Sequence, residues 1–413
     1  MNDLLPLEWL NVSKPSINLF LCDRTRGVAV TWHQPSRILE GQQLMQRNLV
    51  ISVDYEIYGN GTGDVRQLMI EPTERMARIC EKYGVPLTIF FEAEEYLGFC
   101  RYAQELKQSL GYDPARVIRE QVRSLARRGH DFQLHTHPKW FGAAFEGGRW
   151  SVRPEELSAD ELFESQAQAD DYISSRKAVL EEMVSAAAPG RKIRAYRAGA
   201  LRAQPGGKML AALAANNIVV DSSVVLGLQD YKGRHLLDYR RAPRNRRLWR
   251  VRDDVCREDA DGAVWEIPIH SVMRRRFHQL TPERLKAKFS SRAPKDRKRE
   301  IVQHLGIPKN PFQLARFLFA PIPIKLDFHN LSPNALMRYI RSAPPPAADD
   351  AMDVLVLIGH TKEHTDDRAF EHFLQLVGQD SSLQVVGFDA VIDELRNSPR
   401  PVSRSNSLCS TAG

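Results

Sequence analysis

The sequence predicts an α/β protein built as a barrel of strand–helix units, and three observations lead to that class. Short apolar runs rich in β-branched residues alternate along the chain with longer amphipathic stretches. Short turns separate them, and six or more such units are typical of a parallel (β/α) barrel. Polar side chains also follow several of the apolar runs directly. The 413 residues allow one large domain of this type or two smaller ones.

The first predicted strand leads into two carboxylates. Residues 49–53, LVISV, are apolar or small, and they are followed by Asp54 and Glu56 and then by a Gly/Asn-rich loop. Residues two apart on a strand point the same way, so both carboxylates share one face at its carboxyl end. Two such carboxylates need a metal ion, an arginine or a shared proton nearby. This predicts the centre of a metal-dependent hydrolase site.

The remaining elements follow from periodicity and from their stop signals. Gly84 and Gly129 fit helix ends, and Pro138 stops a strand. Further strands are predicted at residues 86–91, 131–137, 192–197, 218–222, 264–269, 354–358 and 383–387. Helices are predicted at residues 71–83, 116–128, 158–185, 207–216, 366–377 and 388–396.

The barrel is predicted to span residues 48–396, with two interruptions. Residues 229–261 are charged and irregular, and residues 281–342 form a second, polar and helix-rich insertion. Residues 1–47 have no clear period and are expected to be an N-terminal extension. The Ser/Pro/Arg-rich tail, residues 397–413, is expected to be disordered.

The basic residues are concentrated in one block. The net charge is +7, yet residues 231–300 hold 21 Lys/Arg against 10 Asp/Glu, so the rest of the chain is slightly acidic. Such a block can meet phosphorylated ligands, anionic lipid or nucleic acid, or it can be a solvated insertion. Arg244, Arg246 and Arg247 are the expected phosphate contacts. Nucleic acid ranks last, because no aromatic/basic interleaving or reader motif is present.

Composition also bears on location. No run reaches the roughly 20 apolar residues of a transmembrane helix, and the first residues make a poor signal peptide. Peripheral contact with a membrane through the basic block would need neither of these segments. The scattered cysteines have no metal-type spacing and suit a reducing compartment, so a cytoplasmic location is expected. They are Cys22, Cys80, Cys100, Cys256 and Cys409.

Polar clusters at four predicted strand ends are a stronger signal than any one alone. They are Asp54/Glu56, His135/His137, Arg197 and His360. In an α/β barrel these ends converge on one face, where active sites form. His135 and His137 face one way, a spacing common among ligands of zinc and similar ions. The alternative is one structural and one exposed histidine.

Four motifs carry a family resemblance: SVDYE, GHDFQLHTHP, YRAGAL and VLIGHTKE, in this order. Together they resemble the polysaccharide deacetylase superfamily, the NodB-homology fold of carbohydrate esterase family 4 and its relatives. The nearest resemblance is to the WbmS-type branch of O-antigen and capsule gene clusters, over residues 48–396. The resemblance implies a distorted (β/α) barrel that removes acetyl groups from sugars with one divalent metal ion. Zinc is the expected ion.

The resemblance also implies a role for each strand-end residue. Asp54 would be the base that takes a proton from the attacking water, and Arg197 would pair with it. Glu56, His135 and His137 would hold the metal, and His360 would be the general acid. Two departures leave alternatives open. The family more often has adjacent aspartates, so either Asp54 or Glu56 could be the metal ligand. Its histidine spacing is more often four, which falls on Lys139 here and leaves the assignment of His137 less secure than that of His135.

The expected function is therefore a metal-dependent deacylase acting on an N-acetylated sugar in surface polysaccharide biosynthesis. Its partner would be a nucleotide- or lipid-linked acylated sugar, whose phosphates meet the basic block. The alternatives are a C–N hydrolase acting on a small amide or cyclic imide, and a sugar-binding member without catalysis.

Other candidates have weaker support. Trp140 could stack on sugar or pack in the core, and Glu266 lies on a strand near the barrel mouth. His130 is expected to be structural. The remaining candidates for the substrate cleft are Asp327, His329, His364 and Asp366.

Overall fold

The computed structural model describes residues 46–230, 236–279 and 310–397. Most of the expected extension and tail, and residues 281–309 of the second insertion, lie outside these ranges. The strands are β1 (Arg47–Tyr55), β2 (Thr88–Glu92), β3 (Asp131–Thr136), β4 (Ala144–Glu146), β5 (Arg149–Ser151), β6 (Ala195–Ala198), β7 (Val220–Asp221), β8 (Gln229–Asp230), β9 (Leu237–Asp238), β10 (Trp249–Val251), β11 (Val264–Glu266), β12 (Ser271–Arg275), β13 (Pro321–Lys325), β14 (Val354–His360) and β15 (Leu383–Val385).

The helices lie mainly between strands of the barrel. They are α1 (Glu71–Lys82), α2 (Ala93–Arg101), α3 (Ala103–Leu110), α4 (Pro114–Arg127), α5 (Ala159–Leu162), α6 (Gln166–Ser185), α7 (Gly207–Ala215), α8 (Pro311–Phe319), α9 (Pro333–Arg341), α10 (Asp367–Gly378) and α11 (Phe388–Asn397).

The main sheet curls into a distorted barrel, as predicted. Its order is β10–β11–β7–β6–β3–β2–β1–β14, with β15 beside β1, and the pairing is parallel except between β10 and β11. Ile269, just after β11, bridges Val356 of β14, and the next residue, His270, donates its N–H to the Val356 carbonyl over 2.9 Å. Isolated bridges rather than a paired strand therefore lie along this edge of β14, since Asp327 also bridges Ile358.

Alternation along β1 sends side chains to two separate apolar clusters. Leu49, Ile51 and Val53 pack on the side of the surrounding helices. Val50 belongs to the second cluster with Phe90 and other inward residues. Because the period of a strand is two, Ser52 and Asp54 share the face of Val50, inside the barrel.

The structure corrects several predicted elements. The helix expected over residues 158–185 is two helices, α5 and α6, because Ser158 and Ser165 each form a capping box. The first insertion is not irregular: β10 joins the main sheet through β11. Helices α2 and α3 were not predicted.

Candidate active site

Four strand ends meet at one side of the barrel. Asp54 is in register with His360 between β1 and β14, and His135 is in register with Arg197 between β3 and β6. The strands are parallel, so their carboxyl ends lie at one edge. The structure therefore brings together all six residues singled out at strand ends: Asp54, Glu56, His135, His137, Arg197 and His360.

Arg197 organises the inner part of the site. Its side chain is fully buried, and its guanidinium lies 3.9 Å from the centre of the Phe90 ring. Nη1 donates to Asp54 Oδ1 over 2.6 Å, and Nη2 donates to Ser52 Oγ over 2.9 Å. Nε donates to the Ser222 carbonyl over 3.1 Å. All three nitrogens are therefore fixed by the barrel interior.

The Asp54 carboxyl is kept ionised by this contact. Burial raises its pKa, but the Arg197 guanidinium and the nearby His135 and His360 outweigh burial and hold the pKa below the ordinary value. A buried carboxylate in this state can accept a proton at neutral pH.

Glu56 lies between positive groups. Its Oε2 is 2.8 Å from His137 Nε2, and its Oε1 accepts from Lys362 Nζ over 2.6 Å. Burial raises the pKa of Glu56, but the opposing effect of Lys362 and His137 is larger. The pKa of Glu56 therefore lies well below the ordinary value. Lys362 also donates to the Ile57 carbonyl over 3.0 Å, which fixes the loop after β1.

The backbone selects the tautomer of His135. Its Nδ1 lies 2.8 Å from the Arg197 carbonyl oxygen, which can only accept, so Nδ1 carries the proton. In the neutral form of this tautomer Nε2 presents a lone pair, 3.7 Å from Glu56 Oε2. This nitrogen is buried without a hydrogen-bond partner among the described residues. An orphaned ring nitrogen aimed at a carboxylate fits a metal ligand.

The second imidazole, His137, lies between two carboxylates. Glu156 Oε2 is 3.7 Å from its Nδ1, opposite the Glu56 contact. Burial lowers the pKa of His137, yet the two carboxylates raise it well above the ordinary value. Ligand atoms of Glu56, His135 and His137 all lie within 4.8 Å of one another. One carboxylate and two imidazoles are a donor set that suits zinc and similar ions, so these residues fit a divalent metal.

Gly199 makes room for His137. A Cβ at this position would lie 2.5 Å from His137 Cγ and 2.7 Å from its Cα. The next two residues, Ala200 and Leu201, have φ of 51° and 60°, in the left-handed region that side chains rarely adopt. Backbone strain of this kind is concentrated at functional sites.

His360 lies on the other side of Asp54. Its Nε2 is 3.5 Å from Asp54 Oδ2, and its Nδ1 is 3.6 Å from Glu363 Oε2. With a side chain 19% exposed, it reaches further toward solvent than Asp54 or Glu56. Asp327, in the second insertion, groups with His360 and Glu363 within 4.8 Å. The site therefore includes a residue of that insertion, which had only weak support from sequence.

Several supporting residues were missed by sequence reasoning. Glu92 ends β2 in register with His135, and its Oε1 accepts from the His137 N–H over 2.9 Å. Lys139, four residues after His135, donates to Glu156 over 2.8 Å. Lys362 follows His360 by two residues, and that spacing was the only available signal.

Two weaker candidates, Trp140 and His130, have structural roles. Trp140 packs in the core, with ring contacts to Phe99 and Trp150. His130 accepts from the Leu87 N–H through Nδ1, as expected of a structural residue.

The candidates near helix α10 are also structural. Asp366 caps this helix by accepting from the Ala369 N–H over 3.0 Å. His364 is buried, and its Nε2 is 2.6 Å from Asp367 Oδ1. The His329 ring lies beside it, tilted by 56°, with ring centres 5.2 Å apart.

Glu266 lies inside the barrel and is not one of the six site residues. It is in register with Asp221 between β11 and β7. Burial raises the pKa of Glu266 well above the ordinary value, and that of Asp221 to about 6. Asp221 adds to burial in raising the pKa of Glu266, so we expect the two neighbouring carboxyls to share one proton.

The prediction that Arg244, Arg246 and Arg247 of the first insertion contact phosphates is wrong for Arg246 and Arg247. Arg246 is paired with Glu258 over 2.7 Å and with Asp349. Arg247 is buried and paired with Asp353 over 2.7 Å. Both tie the insertion to the loop before β14 and are not available to a ligand.

The chain is similar to several solved structures. One is a protein from Mycobacterium smegmatis described as a polysaccharide deacetylase, at 15% identity and a TM-score of 0.39, covering 90% of this chain and 99% of that one. Another is a family 4 carbohydrate esterase from Streptomyces lividans, at 10% identity and 0.32, covering 83% and 92%. A third is the PuuE allantoinase, at 10% and 0.40, covering 87% and 93%. No protein-family profile and no curated protein matches the chain.

Among the described helices, none has both the length and the apolar character required to span a bilayer.

Proposed function

We propose that this chain is a metal-dependent deacylase that removes an acetyl group from an N-acetylated sugar. One observation carries the proposal. Arg197 fixes both halves of the site, since its guanidinium holds Asp54 and its carbonyl turns the free nitrogen of His135 toward Glu56. A base and a metal-ligand set are thereby kept side by side.

Glu56, His135 and His137 would hold the divalent ion, with zinc the expected metal. When bound, such an ion polarises the acyl oxygen and lowers the pKa of water. Their supports are in place: Glu92 accepts from the His137 backbone, and Glu156 faces its Nδ1. Outer contacts of this kind orient ligands and set their basicity.

Asp54 and His360 would share the proton transfers. Asp54, ionised beside Arg197, takes a proton from the water that attacks the acyl carbon. His360, within 3.5 Å of Asp54, donates a proton to the leaving nitrogen as the C–N bond breaks. Acetate and a free amine are the products. The greater exposure of His360 suits a group that meets the leaving sugar.

The finer assignments are also part of the proposal. We place the reaction in surface polysaccharide or O-antigen biosynthesis, in the cytoplasm, on a nucleotide- or lipid-linked sugar. The motif resemblance to the WbmS-type branch supports this setting.

The test is acetate release by the purified full chain from N-acetylated sugar nucleotides and lipid-linked sugars. We expect release that stops on chelation and returns with zinc. Asp54→Asn should lower the rate by ~10²–10⁴-fold, while Asp64→Asn, on the loop after β1, should not. Release of amine from small amides or cyclic imides, but not from sugars, would favour the other hydrolase. Sugar binding without any turnover would overturn the catalytic proposal.

A further inference from the structure

One surface away from the six site residues exposes an unusual set of apolar side chains. It consists of the hairpin β12–β13, the helical turn Arg276–Gln279 and helix α8, and it is named here the hairpin surface. None of the nine residues of α8 is buried. The described ranges contain seven exposed large hydrophobic side chains, and four of them lie on this surface: Met273, Phe277, Phe312 and Phe319. Such a concentration marks an interaction site.

The charge of the same surface has a single sign. Residues 271–279 and 310–325 contain five Lys/Arg and no Asp/Glu. The Arg274 guanidinium lies 5.3 Å from the centre of the Tyr339 ring, and the Arg275 guanidinium lies 5.4 Å from the centre of the Phe319 ring. Arg246 and Arg247 of the first insertion, in contrast, are paired with carboxylates. The positive charge of the hairpin surface therefore favours an anionic partner.

The aromatic side chains lie beside the arginines. Phe312 is 80% exposed and Phe319 is 55% exposed, and the Phe277 ring lies 5.6 Å from that of Phe319. Exposed rings next to guanidiniums suit a boundary where the rings enter an apolar layer and the guanidiniums meet phosphates. An anionic phospholipid bilayer offers both layers.

We infer that the hairpin surface docks the chain on the anionic face of a phospholipid membrane. Strand β13 runs directly into Leu326 and Asp327, and Asp327 lies in the group that contains His360. Docking would thus bring one wall of the candidate site close to the headgroups. The inference concerns the surface alone and stands whether or not the proposed reaction is right.

The experiment is co-sedimentation of the full chain with vesicles of phosphatidylglycerol and phosphatidylcholine in equal parts. We expect binding that falls as salt rises and that is absent with phosphatidylcholine alone. Inorganic phosphate at the same ionic strength should compete no better than chloride. Failure of the wild type to sediment with the anionic vesicles would overturn the inference, as would equal binding to neutral ones.

Two double variants separate the contributions. Arg274→Gln with Arg275→Gln should weaken binding by about 25-fold, since each surface arginine contributes about fivefold. Phe312→Ser with Phe319→Ser should weaken it roughly tenfold or more. The matched control, Arg116→Gln with Arg127→Gln on α4, removes the same charge elsewhere and should bind several-fold more tightly than the first pair.

A second outcome would assign the surface to a protein partner. If the wild type self-associates in analytical ultracentrifugation, and the phenylalanine pair abolishes that association without changing vesicle binding, a second copy covers the surface and the membrane inference is wrong. Equal losses in the control and in the arginine pair would also contradict it, because the effect would then be total charge.

Discussion

The Arg197 guanidinium donates to the Asp54 carboxylate over 2.6 Å within the barrel, where both side chains are buried. A buried ion pair is costly to break, because the partner left behind keeps its charge without solvation. The pair therefore ties the chemistry of the site to the stability of the fold.

Replacing Arg197 with Met should destabilise the chain by about 3–5 kcal/mol. Pairing it with Asp54→Asn should restore part of that loss, since no carboxylate then remains to be buried unpaired. Urea unfolding of the two single variants and the double variant measures the coupling. Additive losses would mean that the two residues act independently, against this account.

Gly199→Ala should disturb the metal ligands without touching them chemically. The added Cβ would lie 2.5–2.7 Å from ring and backbone atoms of His137, so the imidazole must move. We expect a loss of zinc affinity of roughly 10–100-fold, the range for an outer-shell change, measured by competition with a chelator. Gly207→Ala is the matched control, because its Cβ would meet atoms no closer than 3.7 Å. Equal affinities in both variants would remove Gly199 from the site.

His360→Asn tests the proton donor through the leaving group. An amine leaves only when protonated, whereas p-nitrophenolate leaves without help. The variant should therefore lose ~10²–10⁴-fold in rate on an N-acetylated sugar but far less on p-nitrophenyl acetate. A similar loss on both substrates would instead point to a role in binding or in supporting Asp54.

Glu266→Gln should change how stability depends on pH. The folded pKa of Glu266 is raised by burial and by Asp221. The stability from its proton is therefore fully present below the unfolded value of about 4.3 and is lost as the pH rises through the folded value. Between about pH 5 and pH 8 the wild type should lose stability, and the variant, which needs no proton, should lose less.

The control for this prediction is Glu120→Gln, an exposed side chain on α4. Urea unfolding across the pH range should give it the slope of the wild type. If Glu266→Gln also keeps the wild-type slope, the shared proton between the two carboxyls does not exist.

The sequence was sufficient to place the strand ends, since β-branched runs followed by polar residues are a local signal. It therefore predicted that Asp54, His135, Arg197 and His360 would meet, although their roles remain predictions. It could not find Glu92 or Lys362 as neighbours of the site, because these contacts depend on register between strands and on the path of the loops that follow them. The sequence also predicted Arg246 and Arg247 as phosphate contacts. Their ion pairs join residues about a hundred positions apart, and such pairs leave no local pattern in a sequence.

In the proposed site, Glu56, His135 and His137 hold one divalent ion, and Asp54 is not among its ligands. The zinc content of the purified chain, measured by mass spectrometry after dialysis, tests this arrangement. We expect one zinc per chain in the wild type and in Asp54→Asn, and almost none in Glu56→Gln or His135→Ala. Loss of zinc in Asp54→Asn with retention in Glu56→Gln would contradict the assignment, and a wild type that binds no divalent metal would contradict the whole account.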